Sequence, residues 1–276
     1  MARSLRVTTI RRSGSWVSLR LGELWEYREL LFFLVWRDVK IRYKQTALGA
    51  AWAVLQPFFT MVVFSIVFGR LAGLPSDGVP YPVFTYSALL PWQLFAFALG
   101  ESSNSLVAHQ RLISKVYFPR LIIPLSSVGV GLVDFSVSFV VLLGLMAYYG
   151  IAPTLAMWTV PFWALLAVSS ALGVGLWLSA LNVKYRDVRY TLPFVTQIWM
   201  FASPVAYASS LVPDAWRPFY ALNPMVGVID GFRWALLGTA DPPLVTLVVS
   251  LGAVSTLLLT GLIYFRRTER TFADLV

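Results

Sequence analysis

Residues 121–183 read LIIPLSSVGVGLVDFSVSFVVLLGLMAYYGIAPTLAMWTVPFWALLAVSSALGVGLWLSALNV, with Asp134 the one charged side chain in the stretch. A hydrocarbon core about 30 Å thick is crossed by about 20 residues of helix, each rising about 1.5 Å, so this stretch holds two crossings. Gly and Pro in Tyr149-Gly150-Ile151-Ala152-Pro153 punctuate the turn between them.

Working outward, four more charge-free runs are long enough to span: Thr46 to Gly69, Gly78 to Gly100, Tyr190 to Pro213 and Pro242 to Phe265. The expected fold is an all-α polytopic membrane protein with six transmembrane helices, at about 47–70, 82–104, 122–149, 157–181, 190–207 and 242–265. Composition agrees: 58% of the residues are apolar and 13% charged, against about 25% charged in an ordinary soluble domain. Eleven Trp, 12 Tyr and 19 Phe suit interfacial belts and pore linings.

A net charge of +9 would suggest nucleic acid in a soluble protein. Here basic side chains concentrate on one side of the predicted bilayer. With the N-terminus inside, nineteen of the 22 Lys and Arg fall in inner segments, leaving Arg70, Arg217 and Arg233 outside. The positive-inside rule therefore puts both termini in the cytoplasm and accounts for the charge without nucleic acid. The absence of cysteine excludes disulfides and thiol chemistry, and a single histidine excludes a His-rich metal site. The basic start MARSLRVTTIRRSGSW lacks an apolar run ending at a cleavage site, so no signal peptide is expected. The chain reads as a basic cytoplasmic segment 1–21, one transmembrane domain over 22–265 and a cytoplasmic tail 266–276.

Residues 22–45 form a separate element. Its seven-residue apolar run Leu30 to Trp36 cannot span, and it is flanked by Glu23, Glu26, Arg28 and Glu29 before, and Arg37, Asp38, Lys40, Arg42 and Lys44 after. An interfacial amphipathic helix on the cytoplasmic surface satisfies both, and a solvated basic arm is the alternative. Beyond the fifth run, Ser203-Pro204 interrupts the helix and Asn223-Pro224 makes a turn. Met225 to Leu237 then reads as a short helix with Met225, Ile229, Phe232 and Leu236 on its apolar face. Asp230 and Arg233 stand three apart and can pair, Gly238 suits the C-cap, and Asp241-Pro242 suits the start of the last span. This gives two short outer helices, re-entrant or interfacial, between spans five and six.

No catalytic constellation emerges. There is no Gly-x-x-x-x-Gly-Lys-Ser/Thr loop to cradle phosphate, no His-Glu-x-x-His and no paired carboxylates on one helical face. Any ATP-driven work needs a second protein. The inner loop 105–120 is too apolar for a solvated turn, and Leu112, Ile113, Val116 and Tyr117 fall at helical spacing among Arg111, Lys115 and Arg120. That stripe could enter a partner's cleft, or pack on the bundle or the membrane. Asp134, deep in span three, needs a partner from Ser136, Ser138 or a neighbouring helix, for packing or for substrate passage or dimerisation. Glu101 can snorkel or pair with Arg111 or Arg120, and His109 reads as a loop or partner-contact residue.

The run Leu112-Ile-Ser-Lys-Val-Tyr-Phe-Pro-Arg120 is joined by Leu181-Asn-Val-Lys-Tyr-Arg-Asp-Val-Arg-Tyr190, Ser203-Pro-Val-Ala-Tyr207, Asn223-Pro-Met225 and Gly231-Phe-Arg233. In this order they resemble the ABC-2 type permeases, closest to the polysaccharide exporters of the O-antigen, capsule and teichoic-acid group. The likeness runs from about residue 25 to 265.

The resemblance implies a homodimer with one ABC ATPase beneath each subunit, hence two ATPase copies. No cofactor belongs in this chain, and Mg-ATP is bound by the partner. The location is the bacterial inner membrane. By the same resemblance, the loop carrying Arg111, Leu112, Lys115, Tyr117, Phe118 and Arg120 couples to the ATPase. The helix with Trp36, Arg37, Lys40, Arg42 and Lys44 gates the cytoplasmic entrance, and Asp230, Phe232 and Arg233 belong to an outer gate. Lys184, Arg186 and Arg189, with Asp187, are inner-surface anchors, a second ATPase contact or a site for the pyrophosphate of a lipid-linked substrate. Spans one and five line the channel in such permeases. Aromatic faces would let sugars slide, and the candidates are Trp52, Phe58, Phe59 and Phe64, and Phe194, Trp199, Phe201 and Tyr207. The implied activity is export of a lipid-linked glycan. The alternatives are an ABC-2 exporter of a drug or small lipid, a polyprenyl-phosphate-dependent transferase, or a structural scaffold.

Overall fold

A computed structural model describes residues 21–44, 49–238, 244–269 and 272. The expected N-terminal segment through residue 20, the first residues of span one, the Asp241-Pro242 start and most of the tail lie outside the described residues. Every regular element among the described residues is helical.

The expected helix at 22–45 is two elements, α1 (Leu21–Glu26) and α2 (Arg28–Lys44), which meet at Tyr27. Leu34 turns inward while Phe32, Phe33 and Trp36 are exposed, so apolar side chains surround the run instead of forming one stripe. Next come α3 (Gly49–Phe64), which continues as a π-helical segment through Ser65–Leu71, and α4 (Tyr81–Ala108). Span three is α6 (Ile122–Ser127) and α7 (Gly129–Tyr148), offset at Val128, and is preceded by the short α5 (Gln110–Lys115). Gly150, at φ 69°, makes the expected turn, because a left-handed backbone strains any residue with a Cβ. A 3₁₀ turn at Leu155–Thr159 leads into α8 (Val160–Lys184).

Among the described residues, five helical stretches are long and apolar enough to cross a membrane: Ala51–Leu71, Tyr81–Ala108, Ile122–Tyr148, Leu155–Lys184 and Leu244–Thr268. The run at 190–207 differs from its expectation. It forms α9 (Val188–Phe201), whose 14 residues span roughly 21 Å, less than a hydrocarbon core. Its chain continues as turns through Ser203-Pro204, where proline removes a backbone donor, to Ala206, whose carbonyl accepts from the Tyr81 hydroxyl at the start of α4. The two outer helices are a single turn, α10 (Arg217–Tyr220), and α11 (Pro224–Leu237). Asn223 caps α11 by accepting the Met225 N–H at 3.0 Å, Pro224 follows it, and Gly238 closes the helix at φ 64°. The last crossing is α12 (Leu244–Thr268).

The core is organised around α4 and α8. In its most apolar window α4 is 78% buried and α8 61%, against 17% for α12. Lipid tails are as apolar as leucine, so these helices associate through close packing and polar contacts, not through the hydrophobic effect of water. Gly173 of α8 and Gly261 of α12 bring two backbones together: a Cβ on Gly173 would meet the Leu258 nitrogen at 3.0 Å, and one on Gly261 would strike the Gly173 carbonyl. Near the N-terminal end of α8, Gly231 of α11 sits under the Trp163 ring.

Gly261→Leu should therefore separate α8 from α12 and lower the thermal unfolding midpoint of the purified chain. The expected cost is about 1–3 kcal/mol, and Gly144→Ala, which meets open space, should change little. Equal midpoints for both variants would contradict the close packing.

Candidate functional site

The half-buried charge in span three is held by the interfacial helix. Asp134 pairs with Arg42 at 2.6 Å and accepts the Tyr43 hydroxyl at 2.5 Å. The expected serines are engaged elsewhere: Ser136 donates to the Leu132 carbonyl and Ser138 to the Ala53 carbonyl, both at 2.8 Å. A hydroxyl in a helix finds its nearest unpaired acceptor in the preceding turn or on a touching backbone, which leaves the carboxylate for a cation. Burial, followed by the hydrogen bond to Asp134, raises the Tyr43 pKa, so the phenol stays a donor. Arg42 also lies over the Phe97 ring at 5.1 Å.

One and a half turns earlier on α2, Arg37 pairs with Asp38 at 2.7 Å and reaches His109 Nε2 at 2.8 Å, at the α4–α5 junction. A guanidinium only donates, so Nε2 accepts and Nδ1–H donates to the Ser105 carbonyl at 2.9 Å. Glu101 forms no ion pair with Arg111 or Arg120 among the described residues. Its titratable neighbours are Arg42, Asp38 and His109.

The expected stripe on the inner loop is not one helical face. The helix α5 ends at Lys115, and Val116 is extended, at φ −131° and ψ 134°. Pro119 disfavours helical backbone at Phe118, and the chain has already left the helix two residues earlier, at Val116. Ile113 and Phe118 are buried, while Tyr117 stands 81% exposed between them, with Arg111 and Lys115 also exposed and Leu112 half-buried. Arg120 is committed inward: its backbone N–H donates to Glu269 Oε1 at 3.3 Å and its guanidinium to the Glu269 carbonyl, while Glu269 pairs with Arg266 at 2.9 Å. Lys184, Arg186 and Arg189 are exposed around the α8–α9 connection at this same end, where Asn182 donates to Ser103 and Asn104 at 3.1 Å.

The aromatic candidates divide. Trp52, Phe58 and Phe59 on α3 are exposed, as are Phe194 and Phe201 on α9, where Tyr190 and Ile198 complete the stripe. Phe64 is buried, and Tyr207 is half-buried and hydrogen-bonded to the Tyr220 hydroxyl at 3.0 Å. Trp199 is a packing residue: its ring meets Phe95 edge-on at 5.0 Å and its N–H donates to Asn223 at 2.9 Å.

At the α11 end, Asp230 and Arg233 do not form the expected ion pair. Asp230 accepts the Ser209 hydroxyl at 2.7 Å. Arg233 lies over Phe84 at 3.5 Å and donates to the carbonyls of Val205, Phe84 and Tyr207 at 3.2, 3.3 and 3.4 Å. The turns after α9 expose carbonyls with no helical donor, and these capture the guanidinium. Burial raises the Asp230 pKa and lowers that of Arg233, with the opposite charge of each working against the shift. Phe232 is fully buried, in edge contact with Phe135 and Phe139.

The sequence reading passed over Tyr43, Gln56 and Gln93. A glutamine inside a charge-free run is the signal that could have found the last two.

Two outcomes test the polar contacts. In this cysteine-free chain, a Leu34→Cys probe beneath α2 should react with maleimide about two- to five-fold faster when Asp134→Asn or Arg42→Gln is added. Unchanged rates would mean the pair does not hold α2. Arg233→Met should destabilise the chain by about 2–4 kcal/mol, because it strands buried carbonyls, and a neutral result would refute the clamp.

The profile of the family described as "ABC-2 type transporter" matches residues 29–237. The chain is 32% identical over 244 residues to the O-antigen export system permease protein RfbA of Myxococcus xanthus, covering 86% of this chain and 91% of that protein. It is 28% identical over 250 residues to the RfbA permease of Klebsiella pneumoniae, covering 90% and 95%. To the polysialic acid transport protein KpsM of Escherichia coli it is 25% identical over 209 residues, covering 73% and 78%. A multi-pass helical chain with these motifs and this extent of match belongs to the ABC-2 type transporter family.

Proposed function

We propose that this chain is the channel-forming subunit of an ATP-driven exporter that moves a lipid-linked polysaccharide, or another cell-envelope glycan, out of the cytoplasm. The observation that carries the reading is near-full-length similarity to proteins named as O-antigen export permeases. The subunit works as a homodimer in the bacterial inner membrane with two ABC ATPase copies, and Mg-ATP is bound by those partners. The exposed, unpartnered aromatic faces of α3 and α9 support a second copy and a glycan path bordered by both helices.

The chain crosses the membrane six times, with both ends in the cytoplasm. For the fifth crossing, α9 is extended by the turns 202–208 to the start of α4. The contact between Arg120 and Glu269 supports a C-terminus on the same side as the α4–α6 connection. That side carries the excess of Lys and Arg expected of cytoplasmic loops. There Tyr117, with Arg111 and Lys115, offers an exposed anchor to the ATPase, and aromatic anchors carry much of the binding energy at protein interfaces. Arg120 and Phe118 shape that loop from within. Lys184, Arg186 and Arg189 form a basic surface beside it, suited to an acidic partner or to a substrate pyrophosphate. The helix α2 stands at the entrance, and α10 and α11 at the exit.

Co-purification from the native host tests this. The wild-type chain should bring down an ATPase with a Walker motif. Tyr117→Ala should cut the recovered ATPase about tenfold and abolish glycan export without moving the thermal midpoint, as loss of an aromatic anchor worth at least about 1–2 kcal/mol predicts. Full ATPase recovery and full export in the variant would overturn the coupling role, and no ATPase with the wild type would overturn the exporter reading.

A further inference from the structure

A cavity of about 290 Å³ lies between α2, α3, α4 and α7, within the membrane-crossing part of the chain. Its polar wall is Arg42, Asp134, Gln56, Gln93 and Ser138, and its apolar wall includes Phe97 and Phe135. Arg42 and Asp134 neutralise each other at 2.6 Å, so the cavity presents no net charge to an occupant. Ser138 already donates its hydroxyl hydrogen bond to the Ala53 carbonyl. What remains are the two primary amides, Gln93 half-buried and Gln56 at an exposed position of α3; among the described residues neither side chain makes a hydrogen bond to the protein. Gln93 lies roughly 20 Å of helix from the end of α4 at Ala108, at a depth where an unpaired amide costs free energy and bulk water is scarce.

Each kind of occupant can be weighed against this wall. An anion would face the Asp134 carboxylate and a cation the Arg42 guanidinium, while an apolar chain would leave both amides unpaired. An uncharged ring carrying adjacent hydroxyls satisfies all three constraints. Each amide can donate to one hydroxyl and accept from its neighbour, and the C–H face of the ring can rest on an aromatic side chain. The volume sits at the small end of ligand pockets, which run from roughly 300 Å³ upward, and suits one sugar ring.

We infer that this cavity is a weak binding site for a single neutral sugar ring, with Gln56 and Gln93 as the recognising groups. It rests on the proposed glycan substrate and adds a contact point for it beside the entrance helix. Because Arg42 and Asp134 line the same cavity, an occupied site touches the pair that fastens α2.

Saturation-transfer NMR on the purified full-length chain in detergent provides the test, with methyl α-glycosides of glucose, galactose, mannose and rhamnose as probes and cyclohexanol as the hydroxyl-poor control. At least one glycoside should receive saturation that cyclohexanol does not. Gln56→Leu with Gln93→Leu should reduce that signal at least about fivefold, as expected when two hydrogen bonds to a ligand are lost. The thermal midpoint of the double variant should stay level or rise, because the amides it removes are unpaired. Saturation of no glycoside, equal saturation of wild type and variant, or a fall in the variant's midpoint that marks the amides as structural would each overturn the site. The measurement needs neither ATPase nor transport. Failed binding with intact export would sink this inference alone, whereas glycoside binding by a chain that recovers no ATPase from its native host would sink only the exporter reading.

Discussion

A chain in lipid has to find an internal partner for every backbone N–H and C=O, and this one breaks its helices in the middle of the apolar material. The break after Phe201 is tolerable because other elements lend donors to it. The Tyr81 hydroxyl serves the Ala206 carbonyl, Arg233 serves Val205 and Tyr207, and the Asn223 amide serves Ala202 at 3.1 Å. The short α9, the buried guanidinium and the outer helices are therefore one solution to one problem. Removing the cation would leave carbonyls facing neither water nor protein, a larger loss than that of a surface charge.

The same accounting explains the division of labour among the helices. α4 and α8 are enclosed by the rest of the bundle and carry the polar contacts that fix its register, such as Asn182 reaching back to Ser103 and Asn104. α3, α9 and α12 keep large exposed apolar faces. For α12, with Leu244, Val245 and Val248 outward, acyl chains are a sufficient solvent. On α9 the exposed surface also carries Gln197, whose amide lipid would not satisfy. That face calls for protein or a hydrated path, which is the physical support for the proposed two-subunit channel.

Most of the fold was legible because helix pairs every backbone donor and acceptor within a long charge-free run, and five such runs are helical at spanning length among the described residues. The punctuation at Gly150, Asn223-Pro224 and Gly238 was legible too, since each needs a specific local geometry. Less readable was anything fixed by partners distant in sequence. Arg42 and Asp134 are separated by the whole of spans one and two, and no local pattern announces them. The opposite error arose at Asp230 and Arg233, where correct spacing suggested a pair but unpaired carbonyls elsewhere competed for the guanidinium. On the inner loop the stripe through Tyr117 assumed an unbroken helix, whereas the chain turns extended at Val116 and buries Phe118 in place of Val116 and Tyr117.

The contacts of α2 give that helix a different standing from a peripheral anchor. Arg37 meets His109 where α4 passes into α5, and Arg42 with Tyr43 meets Asp134 on α7. The Arg37–His109 contact requires a neutral imidazole, because a second proton would set two donors against each other. The Asp134 contacts sit in a low dielectric, where a carboxylate left without its cation is costly. Neither link can therefore be given up independently of its surroundings. Displacing α5 pulls on His109, and through Arg37 on α2, while Asp134 holds the other end of the same helix. Polar joints thus make α2, the α4–α5 junction and α7 a single mechanical unit, with α2 spanning the distance between the other two.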